Sequence, residues 1–318
     1  MKKKLVLILA AAMLLALVGC ASGGKAEGTY TVGVCQLVQH PALDAATQGF
    51  QDVLTETFGD QVQVQVQNAS GEQANCTTIL NGFVSGNVDL ILANATAAVQ
   101  AAQAATADIP ILGTSVTDYA SALELDNWTG TIGGNISGTS DLAPLDQQAA
   151  MIQELFPQAK KVGMLYCSAE PNSQYQVEQM TGYLTQLGLE AAAFAFTDTN
   201  DVASVAQAAC DASDVLYIPT DNTAASNTEA IANVVLPAKV PVVAGESGLC
   251  SGCGVATLSI DYYDLGRATG EMAVKILTGE ADISQMPVAY APKFTKMYNK
   301  ANCEALGVAV PEGYEPLS

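Results

Sequence analysis

The chain has 318 residues, with 12 lysines and arginines against 32 aspartates and glutamates, and its net charge is −20. A surface of that sign repels nucleic acid and anionic membranes, so charge-driven binding to either is excluded. The length suits one large or two medium domains.

The first stretch, MKKKLVLILAAAMLLALVGC, reads as an export signal: three lysines, an apolar run from Leu5 to Val18, then Gly19-Cys20. Residues 1–19 are expected to be a signal peptide. Leu17-Val18-Gly19-Cys20 is a lipobox pattern, so Cys20 is the expected lipidation site and 20–29 the tether. Two acyl chains on Cys20 would anchor the protein to the outer face of a membrane. Without Lys2, Lys3 and Lys4 the net charge falls to −23.

From Tyr30 onward, strand and helix patterns alternate. YTVGVC (30–35) reads as a strand and 43–58 as a helix, with Leu43, Ala46, Phe50, Val53, Leu54 and Phe58 at helical spacing. VQVQVQ (62–67) alternates with period two, 72–85 is helical, and VDLILA (88–93) is the continuous apolar run of a strand buried on both faces. A helix at 96–106 and a strand at 109–114 complete the first series. The order recurs in strands at 161–167, 189–196, 214–219 and 240–245, separated by helices at 173–188, 201–210 and 223–238. This doubled βα series predicts two parallel sheets wrapped by helices, with right-handed crossovers. A crossing between lobes is expected near 133–141, a second in the glycine-rich GLCSGCG (248–254), and a third beyond 286. The expected division is 30–140 with 251–285 for lobe 1, and 141–250 with 286–318 for lobe 2.

Ligands of open parallel sheets sit beyond the carboxyl ends of the strands, where helix N-termini also point. The loops at those ends are short and polar. Lobe 1 offers His40, Asp44, Thr96, Ser115 and Thr117; lobe 2 offers Ser168, Glu170, Asn172, Ser173, Asp221, Asn222 and Glu246. Any one of Thr96, Ser173 and Asn222 could equally be a helix cap. Opposed rims of hydroxyls and carboxylates suit a small zwitterion: hydroxyls and helix N-termini for a carboxylate, Asp221 or Glu246 for an ammonium. Arg267 is the only arginine and falls inside a helix pattern, which argues against a phosphorylated ligand. Tyr119 or Phe83 could stack on an aromatic ligand, with a core role the better reading of Phe83.

HPALDA (40–45), AEPNS (169–173), PTDN (219–222) and IDYYDLGRATGEMA (260–273) resemble the solute-binding lipoproteins of ABC importers, in the branch linked to tryptophan and other aromatic amino acids. The resemblance runs in order over roughly residues 30–310. It implies two Rossmann-like lobes joined by three crossings, the type 1 periplasmic-binding fold, and a ligand presented to ABC permease subunits. It implies no enzymatic activity, cofactor or metal. By motif, Asn172 and Ser173 fall on the ligand-facing loop of lobe 2, Asp221 on the residue that meets an amino group, and Thr96 and Thr117 on hydroxyl positions of lobe 1. An amino acid, aromatic by preference, is the expected ligand. A nucleoside or sugar receptor of the same architecture is the alternative.

Sharper chemistry has less support. His40 is the only histidine, so a histidine-rich metal site is excluded, and no G-x-S-x-G is present to pair it with a nucleophile. Its expected role is pocket wall or loop brace. Cys250-Ser-Gly-Cys253 has redox-like spacing, but glycines flank it and a strand follows, unlike a thioredoxin-type turn. Seven cysteines remain after Cys20, an odd number that cannot all pair within one chain.

Overall fold

The computed structural model describes residues 29–317. The proposed signal, Cys20 and most of the tether lie outside the described residues. Lobe 1 opens with β1 (Tyr30–Gln36), α1 (Pro41–Phe58), β2 (Val62–Asn68), α2 (Gln73–Ser85), β3 (Leu90–Asn94), α3 (Thr96–Ala105), β4 (Ile111–Val116), α4 (Tyr119–Ala122) and β5 (Ile136–Ser140). Lobe 2 follows with α5 (Leu145–Leu155), β6 (Lys161–Cys167), α6 (Pro171–Gln186), β7 (Glu190–Phe196), α7 (Val202–Ala212), β8 (Val215–Ile218), α8 (Asn222–Ala225), α9 (Thr228–Ala238), β9 (Val242–Ala244), α10 (Ser247–Gly252) and β10 (Ala256–Ser259). The chain then returns to lobe 1 for α11 (Tyr262–Leu277) and β11 (Ala289–Tyr290), and ends in lobe 2 with β12 (Thr295–Tyr298), α12 (Lys300–Leu306) and β13 (Glu315–Pro316).

The first sheet has the order β11-β5-β4-β3-β1-β2 and is parallel throughout. The second is β13-β12-β10-β9-β8-β6-β7, parallel except where β10 meets β12. The central strands of each sheet are buried on both faces, which their apolar runs allow, while the edge strands β2 and β7 are largely exposed. On β3, Leu90 and Leu92 face Phe50 and Leu54 of α1 and Met272 of α11. Ile91 and Ala93 face Leu80 and Phe83 of α2 and Val99 of α3. In lobe 2, Leu216 and Ile218 pack with Ala206 and Ile231, while Val215 and Tyr217 pack with Ile152 and Met180. Alternate residues of one strand thus serve two cores.

Several details differ from the sequence reading. Residues 136–140 are a strand of the first sheet, so the first crossing is 141–144. GLCSGCG is not a crossing: Glu246 caps the N-terminus of α10, and residues 247–252 are helical. The strand at 256–259 belongs to lobe 2, paired with β9, because its neighbour's carbonyls and amides lie there; the second crossing is 260–261. The chain crosses a third time over 291–294, after β11 has paired with β5. Residues 256–259 therefore move from lobe 1 to lobe 2, and 289–290 from lobe 2 to lobe 1. The predicted helix 223–238 is two helices, broken at Ser226–Asn227.

Helices α1 and α11 lie unusually close. A Cβ on Gly266 would stand 2.0 Å from the Ala46 carbonyl oxygen, and one on Gly49 would stand 2.1 Å from that of Tyr263. This contact fixes α11, and with it the second crossing, against the helix that begins at His40.

Candidate functional site

Strand order reverses between β1 and β3 in the first sheet, and between β6 and β8 in the second. The loops leaving those strands face one another across the cleft, as the sheet topology requires. The lobes are closed. His40 Nε2 lies 3.2 Å from Asn222 Oδ1, and Thr117 Oγ1 lies 3.2 Å from Thr220 Oγ1, both across the cleft. The cavity they enclose is about 10 Å³, near the lower limit for a single water. It is lined from lobe 1 by His40, Leu43, Ser115, Thr117 and Tyr262, from lobe 2 by Asn172, Thr220, Asp221, Asn222, Ala225 and Glu246, and from the first crossing by Asp141.

Local structure explains each position. His40 is the N-cap of α1, in an extended conformation, with Pro41 opening the first turn. Its loop rests on a polar brace. Gln36 Nε2 donates to the Val38 carbonyl at 2.9 Å, Thr47 Oγ1 to Gln36 Oε1 at 2.6 Å, and Asn94 Nδ2 to the Leu43 carbonyl at 2.9 Å. Ser115 sits in the bulge of β4, with a left-handed φ of 54°. Strain of this kind in a serine is held where the surroundings demand it. Burial pushes the His40 imidazole below its ordinary value, so the ring favours its neutral form.

The buried polar atoms are the informative part. Ser115 Oγ, His40 Nδ1 and Asp141 Oδ1 are buried without a hydrogen-bond partner. Buried polar groups are normally paired, so three orphans around one cleft mark where a ligand would bond. Asp141 Oδ2 accepts from Tyr262 Oη at 2.9 Å, joining the first crossing to the start of α11, directly after the second crossing. Burial raises the Asp141 carboxyl to about 6, against the opposing effect of its hydrogen bonds.

The acids of lobe 2 are occupied. Asp221 accepts from Cys167 N at 2.6 Å, Ser173 Oγ at 2.7 Å and Ala224 N at 2.8 Å. Glu246 caps α10 through the amides of Gly248 and Leu249. Glu170 accepts from Asn222 N and Nδ2, Thr223 N and Oγ1, and Asn172 Nδ2. Burial raises Asp221 to about 8, with the charge of Glu170 adding to the shift, and raises Glu246 to about 7. The N-termini of α8 and α10, which could have received a ligand carboxylate, are thus capped from within.

Of the residues singled out by sequence, His40, Ser115, Thr117, Asn172, Asp221, Asn222 and Glu246 meet in the cleft. Asp44 does not: it is exposed on α1 and accepts from Gln36 Nε2. Thr96 is buried at the start of α3, away from the cavity lining. Ser168 donates to the Phe196 carbonyl at 3.0 Å, on the β7 side. Ser173 and Glu170 stand behind the wall, bonded to Asp221 and Asn222. Tyr119 is core, its hydroxyl donating to the Thr139 carbonyl, and Phe83 is core beside it. The sequence reading gives Asp141 and Tyr262 no role, and it holds Thr220 only as part of the PTDN rim loop. Asp141 ends the serine- and glycine-rich segment taken as a linker, and only its place directly after a strand could have marked it.

Residues 31–314 match the family described as ABC transporter substrate binding protein. The chain belongs to that family. A tyrosine-binding protein of Clostridioides difficile (strain R20291) is 35% identical over 278 residues, 86% of this chain and 80% of the relative. A domain from Streptococcus pneumoniae, solved in complex with L-Trp, superposes with a TM-score of 0.86 at 33% identity, covering 91% of this chain and all of that one. The ligand-free, open structure of a substrate binding protein with adhesive properties from Clostridium difficile is 36% identical, over 91% of this chain and 99% of that one, yet its TM-score is 0.69. At similar identity, the lower score against an open relative agrees with the closed lobes seen here. The fold is that of the substrate-binding proteins with two parallel-sheet lobes, a family of binders rather than enzymes. No helix among the described residues is long and apolar enough to cross a membrane.

Proposed function

We propose that this protein captures an amino acid, aromatic by preference, and delivers it to the permease of an ABC importer. The observation that carries the reading is the set of unpartnered buried atoms at the ends of β4 and β5. Ser115 Oγ and Asp141 Oδ1 leave adjacent strands, since Val116 pairs with Ser140. An α-amino acid carries its two charged groups on one carbon. Asp141 would take the ammonium as a charge-assisted bond and Ser115 would donate to the carboxylate. Leu43, Ala225 and the Tyr262 ring are the apolar walls left for the side chain. The role foreseen for Asp221 passes to Asp141, because the Asp221 oxygens are held by three donors of lobe 2. The tyrosine- and tryptophan-binding relatives support the same class.

A cavity of about 10 Å³ cannot receive such a ligand, so entry requires the lobes to separate. Capture is a shift from open to closed, with the ligand bridging the two lobes and the cleft closing over it. In this reading the protein works outside the cytoplasm, tethered by lipid on Cys20. Intact-mass analysis of the purified, cell-expressed protein tests the anchor: a diacylated Cys20 supports it and an unmodified N-terminus rejects it. Calorimetric titration with tyrosine, tryptophan, phenylalanine, branched aliphatic amino acids, nucleosides and sugars tests the ligand. Saturable binding of an aromatic amino acid supports the reading, and binding confined to nucleosides or sugars overturns it.

A further inference from the structure

His40 is the one histidine of the chain, and the amino-acid reading leaves its second ring nitrogen without a task. The hydrogen bonds behind it fix what that nitrogen is. Glu170 accepts five hydrogen bonds, one of them from Asn222 Nδ2 at 2.8 Å. That bond sets the Asn222 amide: its NH₂ faces Glu170, so its oxygen faces His40. Asn222 Oδ1 can only accept, so His40 Nε2, 3.2 Å away, carries the hydrogen. In the neutral ring Nδ1 is then a bare lone pair. It is buried in a residue 6% exposed, without a partner, on a residue that lines the cavity.

We propose that Glu170, Asn222 and His40 form an oriented relay that presents His40 Nδ1 to the ligand as an acceptor, so that the cleft selects side chains ending in an N–H or O–H. This rests on the amino-acid reading and deepens it. Sheet order supports the division of labour. Asp141 follows β5 and His40 follows β1, three strands along the sheet, and both line the cleft. A ligand held by its charged groups at Asp141 and Ser115 would direct its side chain toward His40. An indole N–H or a phenol O–H at the end of an aromatic ring would pair with its Nδ1. A phenyl ring would leave Nδ1 buried and unpaired. Glu170 and Asn222 act through His40 and are positioning residues.

The test uses the full chain without a histidine tag, so that one imidazole is observed. Long-range ¹H–¹⁵N NMR at neutral pH should show the ring protonated on Nε2 alone, and tryptophan should move the Nδ1 resonance while phenylalanine does not. By calorimetry, tryptophan and tyrosine should bind about 10- to 100-fold more tightly than phenylalanine, the cost of leaving a buried acceptor unpaired. Asn222→Ala removes the acceptor that holds the hydrogen on Nε2, so the ring can carry it on Nδ1 instead and the advantage of tryptophan over phenylalanine should shrink. Tyrosine, whose hydroxyl also accepts, should lose less. A ring protonated on Nδ1 in the natural chain overturns the relay, as does equal affinity for phenylalanine and tryptophan. Binding of no amino acid at all would reject the amino-acid reading and the selectivity with it, while the tautomer would still decide the relay.

Discussion

Replacing Asp141 with asparagine should make the protein more stable and a poorer binder. The Asp141 carboxyl is buried, with one oxygen bonded to Tyr262 Oη and the other unpaired. Its folded-state value stands near 6 against an ordinary 3.8, and burial is the main cause. The folded chain therefore holds this proton more tightly than the unfolded chain does. The stability it contributes is full below about pH 4 and is lost as pH rises through 6. Two units correspond to about 3 kcal/mol, an upper figure because the unfolded chain is not featureless. Asparagine keeps the acceptor for Tyr262 and carries no charge to bury. Denaturant unfolding of Asp141→Asn and the natural protein should therefore coincide near pH 4 and diverge above pH 6, the variant being the more stable by about 2–3 kcal/mol. In the same samples, affinity for the amino acid should fall at least tenfold, because the ammonium loses its charged partner. A variant that is no more stable at pH 7.5, or that binds as tightly as the natural chain, would refute the assignment.

Other substitutions separate framework from site. Asp221→Ala removes an N-cap and orphans the Cys167 amide and the Ser173 hydroxyl, so unfolding free energy should drop by about 2–4 kcal/mol; full stability with lost affinity would return Asp221 to the ligand. Gly266→Ala drives a methyl into the Ala46 carbonyl and should cost about 1–3 kcal/mol, read as a lower melting temperature, whereas a neutral result would mean that α11 moves freely against α1. Thr117→Val keeps the wall but loses the contact with Thr220, so affinity should weaken by a few fold through a less stable closed state; small-angle scattering of the saturated variant should show closure incomplete at ligand levels that close the natural chain.

The sequence carried the lobes because each strand had to serve two cores, and continuous apolar runs such as VDLILA state that directly. It carried the rims because polar loops at strand ends are short and bounded by clear patterns. It could not say which polar side chain faces the cavity. Asp44 and His40 lie four residues apart, one helical turn, yet Pro41 and the Gln36–Asn94 brace turn His40 inward and leave Asp44 on the surface. Asp221, Glu246 and Glu170 all look like ligand partners in one dimension; folding commits them to backbone amides nearby in space or sequence.

The crossings were the least legible part, and the reason is physical. A crossing needs no periodicity of its own, so glycine-rich GLCSGCG is the natural choice, while the true second crossing, Ile260-Asp261, is two residues between a strand and a helix, the second of them the helix N-cap. Position decides function here. Asp141 stands on the first crossing and is bonded to Tyr262, the first residue of α11 directly after the second, so a charge placed on its free oxygen acts beside both connections at once. A carboxylate mounted on a lobe would report ligand to that lobe alone. Mounted on the hinge, it makes the closed arrangement costly when the carboxylate is ionised and alone, and favourable when an ammonium fills the cleft. Closure then depends on the differential affinity of the two states for the ligand, the quantity that any population shift requires.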